Sequence, residues 1–311
     1  MYICFVIICA SRRTDIPAFH SEWMMNRLKA GYVLVRNPVV ENVVFRIDLN
    51  PKSVDCIYFM SKDPRPMIRH IDEITEMGHN VLFQVTVNPY GRDLEPGVPD
   101  VALVADGFKE LSKKIGKERI LWRYDPVLFD KRYGRKYHER KFGLLCEELS
   151  EYTNRCIFGF LDVYDKFDKS TASERLYDSS DSDRNWFMGM AGETAREHGM
   201  SLSWCCSPQP VNEYGIDNRG CIDRETMLSL GIPFEDVPGN TRKGCRCVRN
   251  IDIGAYDSCL HNCAYCYANS VSPQGRSSKI YDSASDMLYG SLKNTDTVRE
   301  LTERRLRITD F

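Results

Sequence analysis

The chain has 311 residues, 42% of them hydrophobic, and its 42 basic and 44 acidic side chains leave a formal net charge of -2. That length supports one large core, or one with a small appendage. The near-balance of charge excludes a global field attracting nucleic acid and leaves only a local basic patch open. The opening run MYICFVIIC is too short for a membrane span. No basic region precedes it and Ser11, Arg12, Arg13 and Asp15 follow at once, so it reads as a buried first strand of a cytoplasmic protein, not a signal peptide.

In chain order, β-branched-rich apolar runs at 2–9, 32–35, 56–60, 81–87, 120–122, 156–161 and 201–205 predict strands. Between them, apolar spacings of three and four predict helices at 21–29 (closed by Gly31), 66–77, 100–115, 135–152 and 183–198. This alternation predicts an α/β fold with a parallel sheet covered by helices. Seven such strands favour a (β/α) barrel, complete or partial and TIM-like, over a doubly wound sheet. Residues 36–48 could add a strand pair. The barrel domain is expected to span 1–204. From 205 to 281, Pro208, Pro210, Gly215, Gly220, Pro233, Pro238, Gly239 and Gly244 break up long elements, so an irregular segment stapled by its cysteines is expected. Helical spacing of Leu288, Leu292, Leu301 and Leu306 predicts a C-terminal helix within 282–311 that packs on the barrel.

Parallel α/β folds work at the C-terminal edge of their sheet. The expected strand ends here are polar: Ser11 to Asp15, Arg36-Asn37, Ser61-Lys62-Asp63, Gln84 and Thr86, Arg123-Tyr124-Asp125, and Asp162 with Tyr164. Arg12, Arg13, Arg36, Lys62 and Arg123 would make this mouth locally positive and suited to carboxylate or phosphate. Asp15, Asp125 and Asp162 could instead pair with those cations. The candidate substrate contacts are therefore Arg12, Arg13, Asp15, Arg36, Lys62, Arg123 and Asp125, for a small or nucleotide-like anionic substrate. His20, His70, His79, His138 and His198 read as packing or surface histidines.

Thirteen cysteines are the outlying count. In a reducing cytosol they point to metal or redox chemistry rather than disulfides. Cys4, Cys9, Cys56, Cys146 and Cys156 lie in apolar stretches and read as small buried hydrophobes. The other eight cluster between Cys205 and Cys266. Cys259, Cys263 and Cys266 form C-x3-C-x2-C, which can hold three irons of a [4Fe–4S] cube and leave the fourth for a small chelating molecule such as S-adenosylmethionine. Tyr265 could pack against its adenine. Zinc is the competing reading, since Cys263 and Cys266 have C-x2-C spacing and His261, or Cys245 and Cys247, could complete a tetrahedron. Cys205 or Cys206, with Cys221, Cys245 and Cys247, could form a second site for another cluster or a zinc ion.

Cys259-Leu-His-Asn-Cys263-Ala-Tyr-Cys266-Tyr-Ala resembles the signature of radical S-adenosylmethionine enzymes, in particular the branch related to spore photoproduct lyase. Those enzymes usually carry the motif after the first barrel strand, whereas here it follows the last, so their other cofactor motifs are not carried over. Nearly the whole chain also resembles the uncharacterised bacterial family catalogued as domain of unknown function 1848. The stretches that carry this likeness are 10–18, 30–38, 88–93, 122–126, 245–248 and 252–256. The likeness of the cysteine motif implies a radical enzyme with an external electron donor, whereas the family likeness assigns no reaction. Two alternatives stand beside it, a zinc-stapled binding protein and a non-catalytic iron–sulfur electron-transfer or sensor protein. No Gly-rich phosphate loop, H-E-x-x-H or nucleophile elbow points to another enzyme class.

Overall fold

The structure, a computed structural model, describes residues 5–162, 178–207, 211–239, 243–269 and 281–301. Cys4, Tyr164 and Leu306 lie outside these. The centre is an eight-stranded parallel sheet: β1 (Ile7–Ala10), β4 (Cys56–Ser61), β5 (Val81–Thr86), β6 (Ile120–Val127), β7 (Arg155–Phe160), β8 (Ser201–Trp204), β9 (Ile216–Asp217) and β10 (Ile251–Asp252). Its spatial order is β10-β1-β4-β5-β6-β7-β8-β9. Among the described residues β9 and β10 pair with β8 and β1 respectively and not with each other, so the α/β expectation holds and the sheet is open.

The intervening helices are α1 (Ile16–Phe19), α2 (Ser21–Ala30), α3 (Arg65–Ile68), α4 (Ile71–Glu76), α5 (Val101–Ile115), α6 (Arg135–Leu149) and α7 (Asp181–Glu197). Their ends follow local chemistry. Gly31 closes α2 in the left-handed region at φ 76°, where both Arg27 and Leu28 carbonyls accept its N–H. Ser180 caps α7 by accepting from the Asp183 N–H. The helix expected over 66–77 is instead two short pieces, α3 and α4, separated at Arg69 and His70.

Strand alternation sorts the core into two layers. Ile8, Phe59, Phe83, Trp122 and Phe158 face the helices and pack with Phe108, Phe142 and Phe187. Their neighbours Ile7, Cys9, Tyr58, Leu82, Leu121 and Ile157 face the other way. That second face is covered by the cysteine-rich segment, through Ile222, Met227, Ile232 and Val248, with Met227 on α8 (Arg224–Ser229). The described residues of the segment cover that face of the sheet while crossing from β9 at one edge to β10 at the other.

Two expectations are corrected. Residues 32–35 do not join the parallel sheet. They form β2 (Tyr32–Arg36), antiparallel to β3 (Val43–Asp48), in a separate three-stranded sheet completed by β11 (Thr297–Glu300) parallel to β3. Described residues 281–301 hold no helix, only turns and β11. The leucine spacing misled because the side chains do not share a face: Leu288 is buried, whereas Leu292 and Leu301 are 48% and 43% exposed. No helix among the described residues is long and apolar enough to cross a membrane.

Candidate functional site

The C-terminal ends of β1, β4, β5, β6, β7 and β8 open onto one cavity of about 610 Å³. Its far wall is built by the cysteine-rich segment, and all eight clustered cysteines line it. Of the seven expected substrate contacts, Arg12, Arg13, Asp15, Lys62, Arg123 and Asp125 reach the cavity and Arg36 does not. Arg36 lies on β2, where its guanidinium grips Asp296 with two 2.8 Å bonds and also donates to the Ser291 carbonyl. It ties the small sheet together.

The mouth is less positive than the sequence suggests, because its cations have partners. Arg13 Nε donates to Asp252 Oδ1 at 3.0 Å and its Nη2 to the Asp252 carbonyl at 2.7 Å. Arg123 pairs with Asp125. Lys62 Nζ donates to Glu95 Oε1 at 2.8 Å and to the Tyr265 hydroxyl at 3.1 Å. Burial would pull the Lys62 ammonium down, but Glu95, Cys263 and Asp125 together offset it and the net direction is up. Four lining cations, Arg12, Arg13, Lys62 and Arg123, thus face four lining carboxylates, Asp15, Asp125, Asp162 and Asp252. Among the described residues, three buried polar atoms on this lining nevertheless have no protein partner: Arg12 Nη2, Thr14 Oγ1 and Gln84 Oε1. One donor, one hydroxyl and one acceptor suit a polar ligand rather than an apolar one.

Asp15 is a structural hub. Its carboxylate accepts from Ala18 N, Ser61 Oγ, Lys62 N and His261 Nε2, the last at 2.8 Å. One buried side chain thereby joins the turn after β1, the end of β4 and the Cys259–Cys266 loop. His261 Nδ1 faces the Gly97 carbonyl at 3.1 Å. With both ring nitrogens engaged, His261 is not placed to complete a zinc tetrahedron. Close packing holds the same loop on its other side, since a Cβ on Gly97 would stand 2.6 Å from the Leu260 carbonyl oxygen.

Cys259, Cys263 and Cys266 line the cavity within electrostatic reach of one another. Burial pushes the Cys259 thiol up to about 12 and raises Cys263 as well, so these sulfurs are protonated until a cation draws them into thiolates. Among the described residues, no three or more His, Cys, Asp or Glu side chains already stand closed around one metal position. Cys205, Cys206, Cys221, Cys245 and Cys247 form a second group on the same wall. Cys9, Cys56, Cys146 and Cys156 are fully buried, matching their reading as core residues.

Sequence reasoning missed Glu95, Asp252 and Asn250, whose Oδ1 accepts from Arg12 Nη1 at 2.7 Å. Glu95 carries no motif signal. Asp252 falls within one of the stretches shared with the family resemblance, which was the signal that could have singled it out.

The chain matches the family described as domain of unknown function (DUF1848) over residues 7–268. It belongs to that family. The matched span of DUF1848 takes in the parallel sheet, the cavity and both cysteine groups, and stops at Ala268 just past the three-cysteine loop. No curated protein matches the chain. Among solved structures, the chain is similar to a 3-keto-D-glucoside 4-epimerase from E. coli at 12% identity and a TM-score of 0.28, covering 54% of this chain and 59% of that one. It is also similar to a candidate alpha-L-fucosidase from Bacteroides thetaiotaomicron at 12% identity and a TM-score of 0.31, covering 67% and 61%. The match thus spans about three fifths of each of those chains.

Proposed function

We propose that this DUF1848 chain is an iron–sulfur enzyme of the radical S-adenosylmethionine type, its cluster held by Cys259, Cys263 and Cys266. The observation that carries the reading is that three thiols of one short loop line the cavity where the parallel strand ends converge. His261, the remaining donor type in the loop, is committed to Asp15 and Gly97. Three thiols on one loop fit a cluster with one open iron better than a four-ligand zinc site. When bound, such a cluster with S-adenosylmethionine supplies one-electron cleavage of the sulfonium, using an electron from an external donor, and a carbon radical that takes hydrogen from substrate.

The chain's own residues position and shield. Asp15 clamps the loop through His261. The buried Lys62–Glu95 pair fixes the Tyr265 hydroxyl and so holds its ring at the cavity wall, where it can lie against an adenine. Arg12 Nη2, Thr14 Oγ1 and Gln84 Oε1 are available to a polar substrate. An anionic substrate would bind Arg12, or displace Asp252 from Arg13 or Asp125 from Arg123. The balanced lining gives no support to nucleic acid.

Anaerobic reconstitution should give about four irons and four sulfides at this site. Dithionite and S-adenosylmethionine should then yield 5′-deoxyadenosine, and Cys263→Ala should abolish both cluster and cleavage. Failure to take up iron, or a cluster unchanged in Cys263→Ala, would overturn the proposal.

A further inference from the structure

Outside the three-cysteine loop, five thiols form a row. The sulfurs of Cys206 and Cys205 are 3.8 Å apart and those of Cys205 and Cys221 are 3.9 Å apart. Cys221 also contacts Cys247, and Cys247 contacts Cys245. The row joins three separate stretches: the end of β8, the turn after β9 and the approach to β10. Two glycines let those backbones meet. A Cβ on Gly220 would stand 2.6 Å from Cys247 N, and one on Gly244 would stand 2.5 Å from the Cys206 carbonyl oxygen.

Two guanidinium groups face the row. Arg123 donates to Cys221 Sγ at 3.1 Å and to Cys205 Sγ at 3.6 Å. The charge of Arg12 acts on Cys247 and Cys221, and its Nη2 is buried without a partner among the described residues. Neutral thiols are weak acceptors and gain little from two buried cations. Four thiolates on one divalent ion carry a net charge of about -2, which the guanidinium groups of Arg12 and Arg123 would offset in part, Arg123 also serving Asp125. The Cys205–Cys221 spacing of 3.9 Å points to the same species. Zinc–sulfur bonds of about 2.3 Å place tetrahedral thiolates roughly 3.8 Å apart. A cubane binds each thiolate through its own iron and needs them further apart.

We propose that Cys205, Cys221, Cys245 and Cys247 bind one zinc ion flanked by Arg12 and Arg123, with Cys206 outside the ligand set. The thiols touch in sequence rather than around one point, so ligation folds the row into a tetrahedron and stitches the end of β8 to the strand that leads into β10. This site is independent of whether the Cys259 loop holds a cluster, and it is tested in a chain that cannot build that cluster. The Cys259→Ala, Cys263→Ala, Cys266→Ala triple variant, purified without added metal, should retain about one zinc and no iron. Adding Cys221→Ser should remove that zinc. Should the quadruple variant fail to fold, cobalt exchanged into the triple variant provides the reading. Thiolate-to-cobalt charge transfer with intense tetrahedral d–d bands is expected. Iron and sulfide retained by the triple variant, or a cobalt spectrum without thiolate bands, would overturn the proposal.

Discussion

At the residue scale, the polar groups of the cavity are organised by long-range pairs. Glu95 is buried and accepts from Lys62, Asn88 and Tyr265. Replacing it with glutamine keeps the shape and leaves the Lys62 ammonium buried without its counter-charge. Glu95→Gln should therefore cost about 3 to 5 kcal/mol in urea unfolding, and the Glu95→Leu, Lys62→Met double variant should recover much of that loss. A loss under about 1 kcal/mol for Glu95→Gln would show that the pair does not anchor the wall. Asp15→Ala should cost about 3 kcal/mol or more, because it strands several buried donors at once. The polar character of the strand ends was legible, since residues closing parallel strands gather at one edge. Their partners were not. Ser11 and Asp252 meet across 241 residues and Arg36 and Asp296 across 260, and no local pattern encodes contacts at that separation.

At the element scale, legibility followed the strength of local signals. Helices α2, α5, α6 and α7 sit where apolar spacing places them, because each buries a stripe against the sheet. The described part of the tail forms no helix because its three leucines at helical spacing need a common buried face and only Leu288 has one. The 32–35 strand was found, but its sheet was not, since a short apolar run carries no record of its partner. The eight-cysteine cluster was fully legible as a cluster, while its position across one face of the sheet was not. Glycines provide a paired test. Gly220→Ala drives a Cβ into the Cys247 and Arg246 backbone, at 2.6 and 2.7 Å, and should cost about 1 to 3 kcal/mol. Gly143→Ala in α6 meets nothing within 4 Å and should gain roughly 0.5 to 1 kcal/mol. Thermal unfolding of both variants checks the sign of each.

At the scale of the whole molecule, three interior histidines set the acid limit of stability. His20, His79 and His138 are buried, and desolvation lowers each from 6.5 to about 4. Below pH 6.5 the unfolded chain takes up protons that the folded chain refuses. Stability is therefore complete above 6.5 and falls as pH drops toward 4, by up to about 4 kcal/mol per pH unit for the three together. Urea midpoints should drop sharply between pH 7 and 5, and His79→Leu should make that slope shallower. A flat profile would mean that these rings are hydrated. The open sheet has a further consequence, which concerns the order of synthesis. β1 emerges from the ribosome among the first strands, yet β10, its neighbour on one side, follows only after nearly the whole sheet has been made. Until then the nascent chain carries β1 as a bare hydrogen-bonding edge, and the apolar face bearing Ile7, Tyr58 and Leu121 has no cover. Truncated products ending before residue 221 should accordingly aggregate or require a holding chaperone, since the cysteine-rich strap can be laid down only after the strands it covers.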